Sequence, residues 1–170
     1  LPGNRSLRIM AGSKQGKFNT PRDIQFHPQR PHEMWVANSG SADVSILTLD
    51  DSNTRVIGAA AKLSDRAKYH YMASVSSLAF GAEGRFATCQ ESTNTYDGLT
   101  SRGPQKHGNR FMGPSLFDSS PALRVTQMGD LCTEEQLQDK NITCFLRHID
   151  MLHESPMCQG LVHDPENYKC

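Results

Sequence analysis

Four side chains able to ligate a metal or move a proton fall within seven residues: His148, Asp150, His153 and Glu154. Two imidazoles and two carboxylates this close can hold a divalent cation, zinc or calcium, with His148 and His153 as the natural nitrogen ligands. They can also do no more than hydrogen-bond neighbouring loops together. Elsewhere the chemistry is sparse. No Ser or Cys stands in a nucleophile elbow, and no glycine-rich phosphate loop follows a strand. Cys89 could act as a nucleophile only with a distant His70 or His153 as base, and a disulfide suits it better. The cysteines show no CxxC spacing, which speaks against a structural zinc site.

The elements that must position these groups read as short strands. Pro21 starts one strand, His27-Pro28 closes it, and Trp35-Val36 builds a second that ends in the turn Asn38-Ser39-Gly40. Asp43–Leu49 alternates as a half-buried third strand, Asp50–Asn53 is a turn cluster, and Thr54–Gly58 is a short outer strand. The unit recurs: Leu78 and Phe80 repeat Ile24 and Phe26, and the segment from Arg85 to Gln90 repeats Met34 to Asn38. A third start appears at Ser155–Pro165, with Leu161 in the place of Ile24. The fold class expected is all-β: β-propeller blades of four antiparallel strands in an incomplete ring. A β-sandwich of short strands is the competing arrangement. Leu7–Gly12 is similar to Arg55–Gly58 and reads as the outer strand of a neighbouring blade.

Ile9-Met10-Ala11-Gly12, Phe18–Ile24 and Trp35–Gly40 together resemble an NHL repeat almost from end to end. The resemblance covers residues 7 to 58 and is weaker over 67 to 91 and 155 to 170. It implies one propeller domain over 1–170, with a blade at 19–58, a second at 67–91, an insertion at 92–150 and the start of the next blade at 151–170. An NHL-type ring needs about six blades of roughly 40–50 residues, so the remainder of a ring is expected outside these 170 residues. In a propeller the inner strands start on the central channel. That geometry places Arg22, Asn38, His70 and Glu91 on the same rim as His148, Asp150, His153 and Glu154. The insertion is loop-rich over Ser92–Pro121, with an apolar anchor at Phe111–Phe117 and a short helix opened by a Thr133/Gln136 capping box.

Lys and Arg number 18, as do Asp and Glu, so the chain lacks the positive excess of a nucleic-acid binder. The one basic stretch, Arg102–Arg110, reads as a solvated loop. No apolar run reaches membrane-spanning length. Cys132 and Cys144 flank the helix and can meet, and Cys89 and Cys158 can bridge adjacent blades. Cys170 is then left to a partner outside the sequence. The sequons at Asn4 and Asn141, with these pairs, favour a secreted or cell-surface glycoprotein. The leading expectation is a non-enzymatic module for protein binding or self-assembly, with no cofactor unless the rim holds calcium or zinc. Two alternatives stand beside it. One is a metal-dependent lyase or hydrolase of the peptidyl-hydroxyglycine lyase type, which the resemblance implies. The other is a cytoplasmic protein- or RNA-binding NHL propeller.

Overall fold

A computed structural model describes residues 9–91, 99–100, 103–104, 113–139, 143–151 and 158–166. The chain is all-β, with two four-stranded antiparallel sheets and a few short helices. After the single turn of α1 (Ser13–Gly16), the first sheet is a simple meander of β1 (Pro21–His27), β2 (Arg30–Asn38), β3 (Asp43–Leu49) and β4 (Val56–Leu63). The turn α2 (Lys68–Tyr71) then carries the chain to β5 (Val75–Phe80) and β6 (Arg85–Gln90). A small two-stranded ribbon, β7 (Leu99–Thr100) with β8 (Gly103–Pro104), comes next. β9 (Ser115–Asp118), the helix α3 (Glu134–Gln138) and β10 (Arg147–Met151) follow. The second sheet has the order β10-β9-β6-β5.

Alternation decides which side chains meet. In β2 and β3, Trp35, Ala37 and Val44 point to one face and pack on Leu78, Phe86 and Phe117 of the second sheet. Met34, Val36, Leu47 and Leu49 point to the other, beneath Met10, Ala11 and Phe18. Both faces of these central strands are therefore apolar, which is why they read as nearly continuous hydrophobic runs.

The two sheets are copies of one unit in register as well as in order. Ile24 pairs with Val36 and Phe26 with Met34, while Leu78 pairs with Thr88 and Phe80 with Phe86. Each hairpin carries an irregularity at the matching place, Pro21/Asp23 in one and Val75/Ser77 in the other. The third strands also match. Asn38 Nδ2 donates to Ser45 Oγ on β3 at 2.9 Å, and Gln90 Nε2 donates to Ser115 Oγ on β9 at 3.2 Å. The first strands lie side by side, tied by the Leu78 amide donating to Asp23 Oδ2 at 2.8 Å.

Several boundaries differ from those expected. The segment 92–150 is no simple insertion, because Ser115–Asp118 and Arg147–Met151 are the third and fourth strands of the second sheet. The second unit therefore runs well past residue 91, and Met151 closes it rather than opening the next. The first unit extends beyond Gly58 to Leu63. Gly58, at φ +73°, sits in the irregularity between the Thr48–Ile57 and Ile46–Ala61 pairs, so the strand kinks there and continues. Ile9–Gly12 forms no strand, and its Met10 and Ala11 cover the first sheet instead. Among the described residues of 151–170, 158–166 form no strand either. The capping box at α3 forms, with Gln136 N donating to Thr133 Oγ1 at 3.2 Å and Thr133 N donating to Gln136 Oε1 at 2.9 Å.

Candidate functional site

The expected rim residues fall at separate places in the fold. Arg22 at the start of β1 and Glu91 just after β6 form an ion pair that links the two sheets. Both are partly exposed, so the pair itself contributes little stability. Asn38 is not a free ligand. It is fully buried, donates to Asp43 Oδ1 at 3.0 Å and to Ser45, and accepts from Asn19 N at 3.1 Å. Its amide is occupied in closing the strand ends. His70 lies on α2 against the ring of Tyr71, with centroids 4.6 Å apart.

His148 and Asp150 lie elsewhere than expected. They sit on β10, the outer edge strand, at the opposite edge of the second sheet from β5. The alternation Arg-His-Ile-Asp-Met makes this a strand, not the approach to a new inner one. The exposed Asp150 accepts from the neighbouring Met151 amide at 2.7 Å. His148 turns inward, its ring 4.2 Å from Tyr71 and edge-on to Phe117 at 5.3 Å between centroids. His153, Glu154, Asn4, Asn141 and Cys170 lie outside the described residues.

Sequence reasoning missed the partner of His148. Asp65, in the connection that follows β4, is almost fully buried, and its Oδ2 lies 3.4 Å from His148 Nδ1. Its Oδ1 accepts from Ala67 N at 2.6 Å. Leu146 N donates to Ser64 O at 3.0 Å, which pins the start of β10 to the same connection. Beside the Asp65–His148 pair opens a cleft of about 210 Å³, lined also by Arg66, Val125, Gly129, Leu146 and Arg147. A carboxylate and an imidazole side by side at the edge of a cleft can take part in holding a polar ligand. Among the described residues, no three His, Cys, Asp or Glu side chains converge as metal ligands.

The second buried imidazole, His27, lies at the other end of the sheets and is structural. Its Nδ1 accepts from the Gln29 and Arg30 amides, both at 3.1 Å, so the proton resides on Nε2, 2.7 Å from Ser119 Oγ. Arg30 and Arg124 both donate to Ser119 O, at 3.2 and 3.1 Å, and Glu33 answers them by pairing with Arg30. Burial, and then the Arg30 charge, push the His27 pKa down to about 4; Glu33 opposes them, and Arg124 adds a smaller lowering effect. An unfolded chain protonates this residue near its ordinary value of 6.5. The neutral imidazole therefore contributes full stability above pH 6.5, and that contribution is lost as pH falls towards 4. The expected slope is about 1.4 kcal/mol per pH unit in that window. Urea unfolding from pH 4 to 8 should show this slope in the difference between wild type and His27→Asn. Parallel curves for the two proteins would contradict it.

Cys89 is bonded to Cys158 and Cys132 to Cys144, with Cα atoms 5.2 and 6.3 Å apart. The first bond, with Ser76 Oγ donating to Cys158 O at 2.6 Å, ties the segment 158–166 against β5 and β6. Two disulfides fit an oxidising compartment. No helix among the described residues is long and apolar enough to cross a membrane. No protein-family model, no curated protein and no solved structure matches the chain.

Proposed function

We propose that the chain is part of an extracellular β-propeller that serves as a non-catalytic binding or assembly module. One observation carries this reading. Ile24 and Phe26 hold, on the first sheet, the positions that Leu78 and Phe80 hold on the second, yet they are 55% and 54% exposed. Leu78 is fully buried by packing against the first sheet. A further sheet of the same kind would cover Ile24 and Phe26 in the same way, as successive propeller blades do. The two disulfides and the two sequons support secretion, and the lack of a nucleophile motif supports a binding role over catalysis.

The test is whether that face associates. In sedimentation equilibrium the 170-residue chain should self-associate as concentration rises, a second copy standing in for the covering sheet. The Ile24→Glu/Phe26→Glu double variant should stay monomeric, with stability within about 0.5 kcal/mol of wild type because both side chains are already exposed. A wild type that is monomeric throughout, or a double variant that unfolds, removes the reading.

A further inference from the structure

We infer that the cleft beside Asp65 and His148 is a binding site for a single oxyanion group, a carboxylate or a phosphoryl group, with Arg66 as its anchor. This inference does not depend on the propeller reading. Arg66 carries a full positive charge at the mouth of the cleft, and among the described residues it makes no ion pair. Its hydrogen bond from Nη1 to Gln127 O is long at 3.4 Å. A guanidinium has five donors in a planar fork, so most of this one is left to satisfy something else.

The turn opposite is shaped to admit that guanidinium. Gly129 has φ +97°, and a Cβ there would stand 3.1 Å from Arg66 Nη1. The bare Cα lets the side chain lie across the turn at the cleft wall. Gly129 N donates to Thr126 O at 3.0 Å and Thr126 N to Asp130 O at 2.8 Å, which fixes the turn in place. Val125 and Leu146 supply the apolar part of the lining.

The carboxylate in the cleft is already committed. Asp65 is 1% exposed, accepts from Ala67 N, and directs its other oxygen to His148 rather than to Arg66. It is directed at the imidazole at the back, and no carboxylate among the described residues pairs with Arg66 at the front. His148 packs against both Tyr71 and Phe117. Its Nδ1 is buried without a well-formed hydrogen bond, since the approach to Asp65 is long and off line. A guanidinium without an ion-pair partner and an imidazole lining the same small space suit an acceptor-rich anion. At about 210 Å³ the space is smaller than the roughly 300–1,000 Å³ of pockets for drug-sized ligands, so it suits one anionic group.

The experiment is a titration of the whole 170-residue chain with sodium phosphate and, separately, sodium acetate, at ionic strength fixed with sodium chloride. His148 ring resonances and isothermal calorimetry are the readouts. Saturable one-to-one binding that moves the His148 signals is expected with at least one anion, and which anion binds tells the phosphoryl from the carboxylate source. Arg66→Gln should weaken it about tenfold or more, the loss of a charge-assisted hydrogen bond. Arg55→Gln, which removes an exposed arginine beside Asp50, should leave it unchanged. No saturable binding of either anion, or equal affinity in the Arg66 and Arg55 variants, would overturn the assignment. Neither result bears on whether the Ile24 and Phe26 face associates.

Discussion

Truncation of Trp35 to alanine is expected to lower the unfolding free energy by about 3–5 kcal/mol, the range for removing a large buried aromatic side chain. Trp35 is fully buried at the junction of the two sheets. Its ring meets Phe80 and Phe86 edge-on, with centroids 5.2 and 5.1 Å apart, and lies 5.8 Å from His27. The indole N–H donates to Glu33 Oε2 at 3.0 Å, and Glu33 in turn pairs with Arg30. Alanine would leave a cavity between the sheets and withdraw a donor from a half-buried carboxylate. Trp35→Phe keeps most of the ring contact and loses the donor, so its cost should be about 1–2 kcal/mol. A domain is commonly stable by only about 5–15 kcal/mol, so the alanine variant should forfeit a large part of the total. Trp35 is the only tryptophan, which rules out its fluorescence as a common probe. Far-ultraviolet circular dichroism in urea is the measurement. A loss below about 1 kcal/mol in the alanine variant would mean that the sheets do not pack through this residue.

The parts of the fold that could be read from sequence are those whose period is strict. Ile24 with Phe26, and Leu78 with Phe80, announce two first strands because side chains two apart share a face. Trp35-Val36 is apolar on both sides because β2 is buried on both sides. The Cys132–Cys144 pair and the Thr133/Gln136 cap were legible because their partners are close in sequence, whereas the Cys89–Cys158 bond forms although Cys158 begins no strand. β9 was not legible. It has four residues, in a stretch rich in Gly, Pro and Ser, and it exists because Phe86 and Thr88 offer it an edge to pair with. Pairing of this kind is a tertiary effect that local pattern does not encode. β10 follows from β9, so the displacement of His148 from the expected rim to the outer edge has the same origin. The cleft was out of reach for another reason. Asp65 and His148 meet only because Leu146 is tied to Ser64, and neither spacing nor composition reports a contact over that separation.

The same tertiary logic ranks the two disulfides. Cys89–Cys158 spans 69 residues and Cys132–Cys144 spans 12. Loop-closure entropy then assigns the long bridge about 4 kcal/mol and the short one about 3 kcal/mol. The difference in kind should exceed the difference in size. The short bridge closes a loop around α3 whose cap and hydrogen bonds are local, so Cys132→Ser/Cys144→Ser should loosen that loop and leave the sheets intact. Cys89 lies in β6 at the place that Ala37 holds in β2, on the face of the second sheet turned away from the first. Through Cys158 it holds the segment 158–166 across that face. Cys89→Ser/Cys158→Ser should therefore cost the larger free energy in urea unfolding. It should also release hydrogen-exchange protection in 158–166 and β5 while β2 and β3 stay protected. A long-bridge variant as stable as wild type, or one that loses protection uniformly, would show that the segment is not held by this bond. The selective result would make the bond the clamp that keeps an outer apolar sheet face covered.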